Sequence, residues 1–342
     1  LLHQATPLVP FKSAKDNGSD TLVNSMPDTA QSSSSSSLTR GQVLGYVALC
    51  LIWGTTWLAI RILVHDVPPL EAAGLRFLIA AVLLIGLAFL QRRSWPIERS
   101  QWHALLVLGM TMMAFPFAMV FWAEQYVASS MTAILYSSSP LLVTLLTPIM
   151  TKHKVPRGAV LAMLVAFGAL LVLFYRSDLG ASRRSLLGGA AILAAVSSSA
   201  WSVVYAKQRL QRLDPVVITG MQLLFGSVVL LWGTWALESR RHAQWTRPAL
   251  IAFVFLTVVG SCFAFVVYYW LLKRMQPYQL STTALVVPII AVVEGALIGR
   301  EPVPLLVVIV IAVVLVSVGS VLRAEARAGQ HVEFISLRDK AS

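Results

Sequence analysis

The chain has 342 residues, of which 57% are hydrophobic and 12% charged, with a formal net charge of +12. A water-soluble domain carries roughly 25% charged residues to coat its surface, so this composition excludes an ordinary soluble protein and indicates a chain that crosses a membrane many times. The basic excess does not single out nucleic acid as a partner, because Lys and Arg fall mostly in short connections between apolar runs, where they set orientation in a bilayer.

Residues 1–41 are polar and include the serine run Ser32–Ser37, a composition that cannot bury a core and is expected to be disordered. No apolar stretch of signal-peptide type is expected ahead of the first span, and Met26, the first methionine, is a candidate start. Ten apolar runs follow, near 44–64, 70–90, 104–125, 128–150, 156–175, 188–207, 214–237, 249–272, 278–299 and 303–322. Each approaches the roughly 20 residues that carry a helix across about 30 Å of hydrocarbon. Pro68 and Pro69 break the first two into a hairpin. The cysteines Cys50 and Cys262 lie inside apolar runs without metal-ligand spacing and read as small buried residues, so no metal or cofactor is expected.

The spans divide into two copies of five. An offset of 148 places Phe115 on Phe263, Phe117 on Phe265, Trp122 on Trp270, Pro140 on Pro288 and Pro156 on Pro304. The first two spans match less tightly, with Pro69 over Pro215 at 146 and Trp57 over Trp201 at 144. Aligned Trp and Pro residues are not explained by apolar composition, so an internal repeat is the better reading. Five is odd, which makes the second copy enter from the opposite side. The expected fold is therefore an all-α integral membrane protein of ten transmembrane helices in two inverted five-helix repeats. Its divisions are a disordered segment 1–41, repeats 42–176 and 188–322, a linker 177–187 and a cytoplasmic tail 323–342. With the N-terminus inside, eighteen of the 27 Lys and Arg fall on inner segments and seven on outer ones, with Arg61 and Arg76 within spans. That bias puts both termini in the cytoplasm, although the outer loop Arg240–Arg247 is itself basic.

These features resemble the drug/metabolite transporter superfamily, EamA type. The resemblance rests on Trp53-Gly-Thr-Thr-Trp57, on Pro69 followed by Leu75-Arg76-Phe77, and on the Pro140 and Pro288 helices, each leading to a polar hairpin. In the second copy that hairpin is Gly299-Arg-Glu301-Pro-Val-Pro304; in the first, His153 stands where the glutamate would be. It implies a secondary active transporter in the bacterial inner membrane, not an enzyme, exporting small organic metabolites, amino acids or drugs by alternating access with proton coupling. The partners expected are a small-molecule substrate and the lipid bilayer, with monomer and homodimer both open. The alternatives are an intramembrane enzyme, for which no Gly-x-Ser-x-Gly or His-Glu-x-x-His motif occurs, and a non-transporting scaffold or receptor.

Glu294 sits between Ala284 and Ile298 with no basic neighbour in sequence, where desolvation favours the neutral acid; it is the candidate proton-coupling residue, against a structural hydrogen bond to a neighbouring helix. Arg76 is a candidate for an anionic substrate group or a partner for Glu294, against a helix-end role with its head in water. Its repeat counterpart, Gln222, polar but neutral, is likewise a candidate substrate-path residue. The pairs Trp53/Trp57 and Trp201/Tyr205 each share a helix face by i, i+4 spacing and, with Tyr136 and Tyr269, are candidate substrate-path residues, against plain packing. Pro140 and Pro288 are expected to kink their helices. Glu124 reads as a solvated helix end.

Overall fold

The computed structural model describes residues 38–96, 98–127, 132, 135–174, 183–238, 242–299 and 305–341, with side chains left aside at 173–174, 291–292, 294–299 and 324–341. In hydrocarbon every backbone N–H and C=O must find a partner within its own segment, which helices accomplish and open strands do not. Among the described residues the regular structure is helical throughout.

Helix α1 spans Arg40–Asp66 and opens on a capping box at Thr39, whose hydroxyl and backbone N–H pair with the backbone and side chain of Gln42. Helix α2, Pro69–Leu90, follows the Pro68–Pro69 break. Helix α3 covers Arg99–Ala123, α4 Ser139–Thr151 and α5 Arg157–Phe174. In the second half α6 is Arg183–Arg209, α7 Pro215–Glu238, α8 Arg247–Arg274, α9 Pro277–Ser281, α10 Thr283–Gly299 and α11 Leu305–Ala341. Seven of these, α1, α2, α3, α6, α7, α8 and the Leu305–Arg323 part of α11, are long and apolar enough to cross a membrane. The expected fourth and fifth spans are the shorter apolar helices α4 and α5, with residues 128–131, 133–134 and 175–182 outside the described set.

Two expectations change in detail. The ninth span is broken at Thr282, because Ser281, Thr282 and Thr283 each turn a hydroxyl back on the carbonyl three residues earlier, at 2.9, 2.6 and 2.9 Å, tightening the chain into a turn. Pro140 does not kink a helix interior: it occupies the first turn of α4, after a turn at Ser137–Ser138, where its missing N–H costs no bond. Pro288 does lie inside α10.

Helices α3 and α8 share an irregularity at matching positions. Each widens into a π turn, at Gly109–Ala114 and Leu256–Phe263, before resuming as α-helix. In α3 the cause is local, since the ring of Pro116 crowds the carbonyl four residues back. In α8 the equivalent residue is Ala264, and Ser261 donates to the Leu256 carbonyl five residues earlier at 2.9 Å.

Packing between the halves is reciprocal. Helix α2 makes the most extensive contact with α7, and α5 lies against α11. Helix α1 packs on α10 as α6 packs on α4, and α1 meets α8 as α6 meets α3. The α3–α7 crossing needs two glycines: a Cβ on Gly109 would stand 2.5 Å from Phe225 Cβ, and one on Gly226 2.5 Å from Met113 Cβ. Small residues let helices approach where apolar burial supplies no drive between them. Large apolar side chains such as Val82, Leu161, Trp232 and Val316 point outward, a surface suited to lipid and not to water.

Charged groups gather at the two ends of the bundle. At one end Arg93 pairs with Asp214 at 3.1 Å, and Lys207 Nζ donates to the carbonyls of Leu272 and Met275 at 2.6 and 2.9 Å. At the other, the Glu238 carboxylate accepts from the N–H groups of Leu70 and Glu71 at 3.0 and 3.2 Å, while the Thr246 hydroxyl donates to Asp66.

The glycine crossing gives a direct test. Gly226→Val overpacks the α3–α7 contact and should destabilise the detergent-solubilised protein by about 1–3 kcal/mol. Gly86→Ala, on a face of α2 with nothing within 4 Å, should leave the melting temperature unchanged or slightly raised.

Candidate functional site

Near the midpoints of the long helices a cavity of about 160 Å³ opens between the two halves. Its wall is built from equivalent positions of both repeats. Met112, Phe117 and Val120 of α3 line it, and so do Gly260, Phe265 and Tyr268 of α8, each 148 residues later. Tyr136 and Ser139 face Ala284 and Val287 at the same offset. On α1 and α6 the pairs are Trp53 with Ser199 and Trp57 with Val203, at an offset of 146.

That last register explains the difference at Trp201 and Tyr205. Matching Trp57 to Trp201 uses an offset of 144, two residues short, and two residues turn a helix by about 200°. Trp201 and Tyr205 therefore lie outside the lining and stack on one another, ring centroids 4.8 Å apart at 16°. Ser199 and Val203, which the aromatic pattern did not single out, take the cavity face of α6. Phe117 and Phe265 were visible only as a matched pair in the repeat.

Aromatic contacts fix the wall. The Trp53 ring sits 5.7 Å from Phe265 and 5.4 Å from Tyr268, and Trp57 meets Tyr136 edge-on at 5.9 Å. The Tyr136 hydroxyl shares a 3.1 Å hydrogen bond with Ser199 Oγ, joining the halves across the cavity. Ser137 donates to the Ala284 carbonyl at 3.0 Å, so the broken segments of the two repeats meet there. Around the α3 π turn, Ser198 donates to the Thr111 carbonyl at 2.6 Å and Ser202 to the Thr111 hydroxyl at 2.8 Å, supplying the donors that a widened turn needs.

Arg76 supplies the charge. It lies on the second turn of α2, 2% exposed, which removes the snorkelling role: its head is not in water. The guanidinium carbon stands 4.8, 5.2 and 5.8 Å from the rings of Phe77, Phe117 and Phe121. Its Nε and Nη1 are buried and, among the described residues, meet no hydrogen-bond acceptor. Each ring face contributes about 0.5–2 kcal/mol to holding a cation. An unpaired buried charge costs well beyond that, and π faces satisfy no N–H. Glu294 lies on α10, and its side chain falls outside the described residues.

Gln222 and Tyr269 lie one layer behind the wall. The Tyr269 hydroxyl donates to Gln222 Oε1 at 2.6 Å and approaches the sulfur of the lining residue Met112 at 3.2 Å. Gln222 Nε2 is buried without a partner among the described residues. Glu124 corrects the expectation of a solvated end: both its carboxylate oxygens are buried without a hydrogen-bond partner there, with Arg61 the charge that attracts it.

Comparison with known proteins places these features in a lineage. Residues 40–175 and 186–323 each match the EamA-like transporter family. The uncharacterized transporter YoaV of Bacillus subtilis is 28% identical over 253 residues, 74% of this chain and 87% of that one. The uncharacterized inner membrane transporter YedA of Escherichia coli is 29% identical over 283 residues, 80% of this chain and 90% of its own. A protein crystal structure superposes with a TM-score of 0.69 at 19% identity, covering 84% of this chain and 98% of that chain, a likeness of fold alone.

The register of α6 can be tested without knowing any ligand. In a background with Cys50 and Cys262 replaced by alanine, Ser199→Cys and Val203→Cys should react with a small water-soluble thiol reagent, and Trp201→Cys should not. Faster labelling at 201 than at 199 and 203 would return α6 to the 144 offset.

Proposed function

Because the chain belongs to the EamA-like transporter family, we propose that it is a secondary active transporter that moves a small organic solute through the central cavity by alternating access. The observation that carries this reading is the cavity wall itself, drawn from equivalent positions of both family copies at mid-helix depth. A site on the interface between two copies is the arrangement in which rocking one copy against the other exposes it to either side in turn. In this proposal the copies are inverted, ten segments cross the bilayer, and both termini face the cytoplasm. The solute passes Trp53, Trp57, Tyr136 and Arg76, with Gln222 and Tyr269 supporting the wall. The end carrying Arg93–Asp214 and Lys207 is then the cytoplasmic closure, and the end carrying Glu238 and Asp66 the outer one. Export is coupled to protons through Glu294, an acid in an apolar run six residues beyond Pro288.

Topology is checked by cysteines placed at residues 20 and 335. Both should be protected from an impermeant reagent in intact cells and labelled after permeabilisation; opposite labelling of the two ends would remove the inverted ten-span arrangement. Coupling is checked in proteoliposomes. A metabolite that accumulates in cells lacking the protein serves as the labelled solute, and its efflux is followed with and without an imposed pH gradient. Glu294→Gln keeps the shape of the side chain but cannot ionise, so it should lose the response to the gradient while retaining solute exchange. A variant as responsive as the parent would make Glu294 structural.

A further inference from the structure

We propose that the cavity selects its solute by a single negative charge, with Arg76 as the residue that holds the anion and a small monocarboxylate of about one-ring size as the ligand class. The inference rests on reading the cavity as the solute site and adds what that site recognises.

Three observations converge on it. First, among the described lining residues Arg76 is the one charged side chain, so the wall matches one negative charge and not the two of a phosphate dianion. Second, this guanidinium is 2% exposed, lines the cavity, and leaves Nε and Nη1 without an acceptor. The neighbours at its head are the rings of Phe77, Phe117 and Phe121, which hold a cation in place and complete none of its hydrogen bonds. A carboxylate supplies acceptors along one edge of the guanidinium, Nε with Nη2 or Nη1 with Nη2, since its two oxygens match the parallel pair of donors on that edge. Third, the rest of the wall dictates the body attached to that charge. Trp53, Trp57, Phe117 and Phe265 offer apolar faces, and the volume of about 160 Å³ is close to that of a cavity of about 150 Å³ that admits benzene. The hydroxyls of Tyr136 and Ser199 already bond each other, which leaves them to tolerate one further polar group without demanding it.

The probes are matched acid, amide and amine sets: phenylacetate, phenylacetamide and phenethylamine, and 4-methylpentanoate with its amide. Binding to the purified full chain in detergent is measured by calorimetry. The acids should bind roughly tenfold to a hundredfold more tightly than their amides, the scale of hydrogen bonds to a charged group. Arg76→Gln should abolish that preference and Arg76→Lys should keep part of it. Equal binding of acid and amide, preference for the amine, or no binding of either acid into the millimolar range would overturn the proposal. The acid-to-amide ratio of the parent decides even if Arg76→Gln does not fold. Should Glu294→Gln restore folding to Arg76→Gln, the arginine is a counter-charge to Glu294 and the proposal fails. Counterflow of labelled phenylacetate in proteoliposomes separates the two readings. Binding without exchange removes the transporter reading and leaves the anion site, whereas exchange of acid and amide at equal rates leaves the transporter and removes the anion site.

Discussion

The scarcity of water along the helices governs this structure, because a backbone group that loses its partner in hydrocarbon has no solvent to fall back on. Helix ends at the two ends of the bundle are therefore served by side chains from other helices. Lys207 of α6 covers the last carbonyls of α8, where a cation also suits the helix dipole. Glu238 of α7 covers the first N–H groups of α2, where an anion does. In each case a charge is used to close a helix and to tie two helices together. Arg76 breaks this pattern. It is buried as deeply as any of these groups, yet serves no helix end and faces the cavity.

Reciprocity between the halves extends from packing to irregularity. The π turns of α3 and α8 sit at matching positions, and each sends the residues beyond it, Phe117 and Phe265, toward the same space. The contents of the matching positions differ. The first half brings Trp53, Trp57 and Arg76; the second brings Ser199 and Val203 on the lining, with Gln222 behind it. A symmetric frame thus encloses an uneven wall, bulky where α1 and α2 contribute and small where α6 does.

Much of this was legible in the sequence because apolar run length and proline position are strong signals in a membrane chain. The hairpin at Pro68–Pro69, the long spans and the duplication follow from them, and the family follows from Trp53-Gly-Thr-Thr-Trp57 and its surroundings. Register within a span was less legible. Two tryptophans, Trp57 and Trp201, look equivalent, but the face of a helix depends on an offset of two residues that composition does not resolve. The break at Thr282 arises from three hydroxyls acting together, a local competition that an apolar count averages away. The solvated-end reading of Glu124 and the helix-end alternative for Arg76 fail for one reason: distance along the chain from a span's end does not measure burial when neighbouring helices crowd that end.

Two pairs among the ten tryptophans of this protein sit in opposite surroundings. Trp53 and Trp57 sit in the cavity wall among Tyr136, Phe265 and Tyr268, whereas Trp232 and Trp235 project from α7 with most of their surface uncovered. Indole emission reports local polarity and is quenched on contact, so a water-borne quencher reaching the cavity and a brominated lipid reaching α7 would dim different rings. With the other six tryptophans replaced by phenylalanine, the two pairs become separate spectroscopic reporters, one for the interior wall and one for the depth at which α7 meets the bilayer.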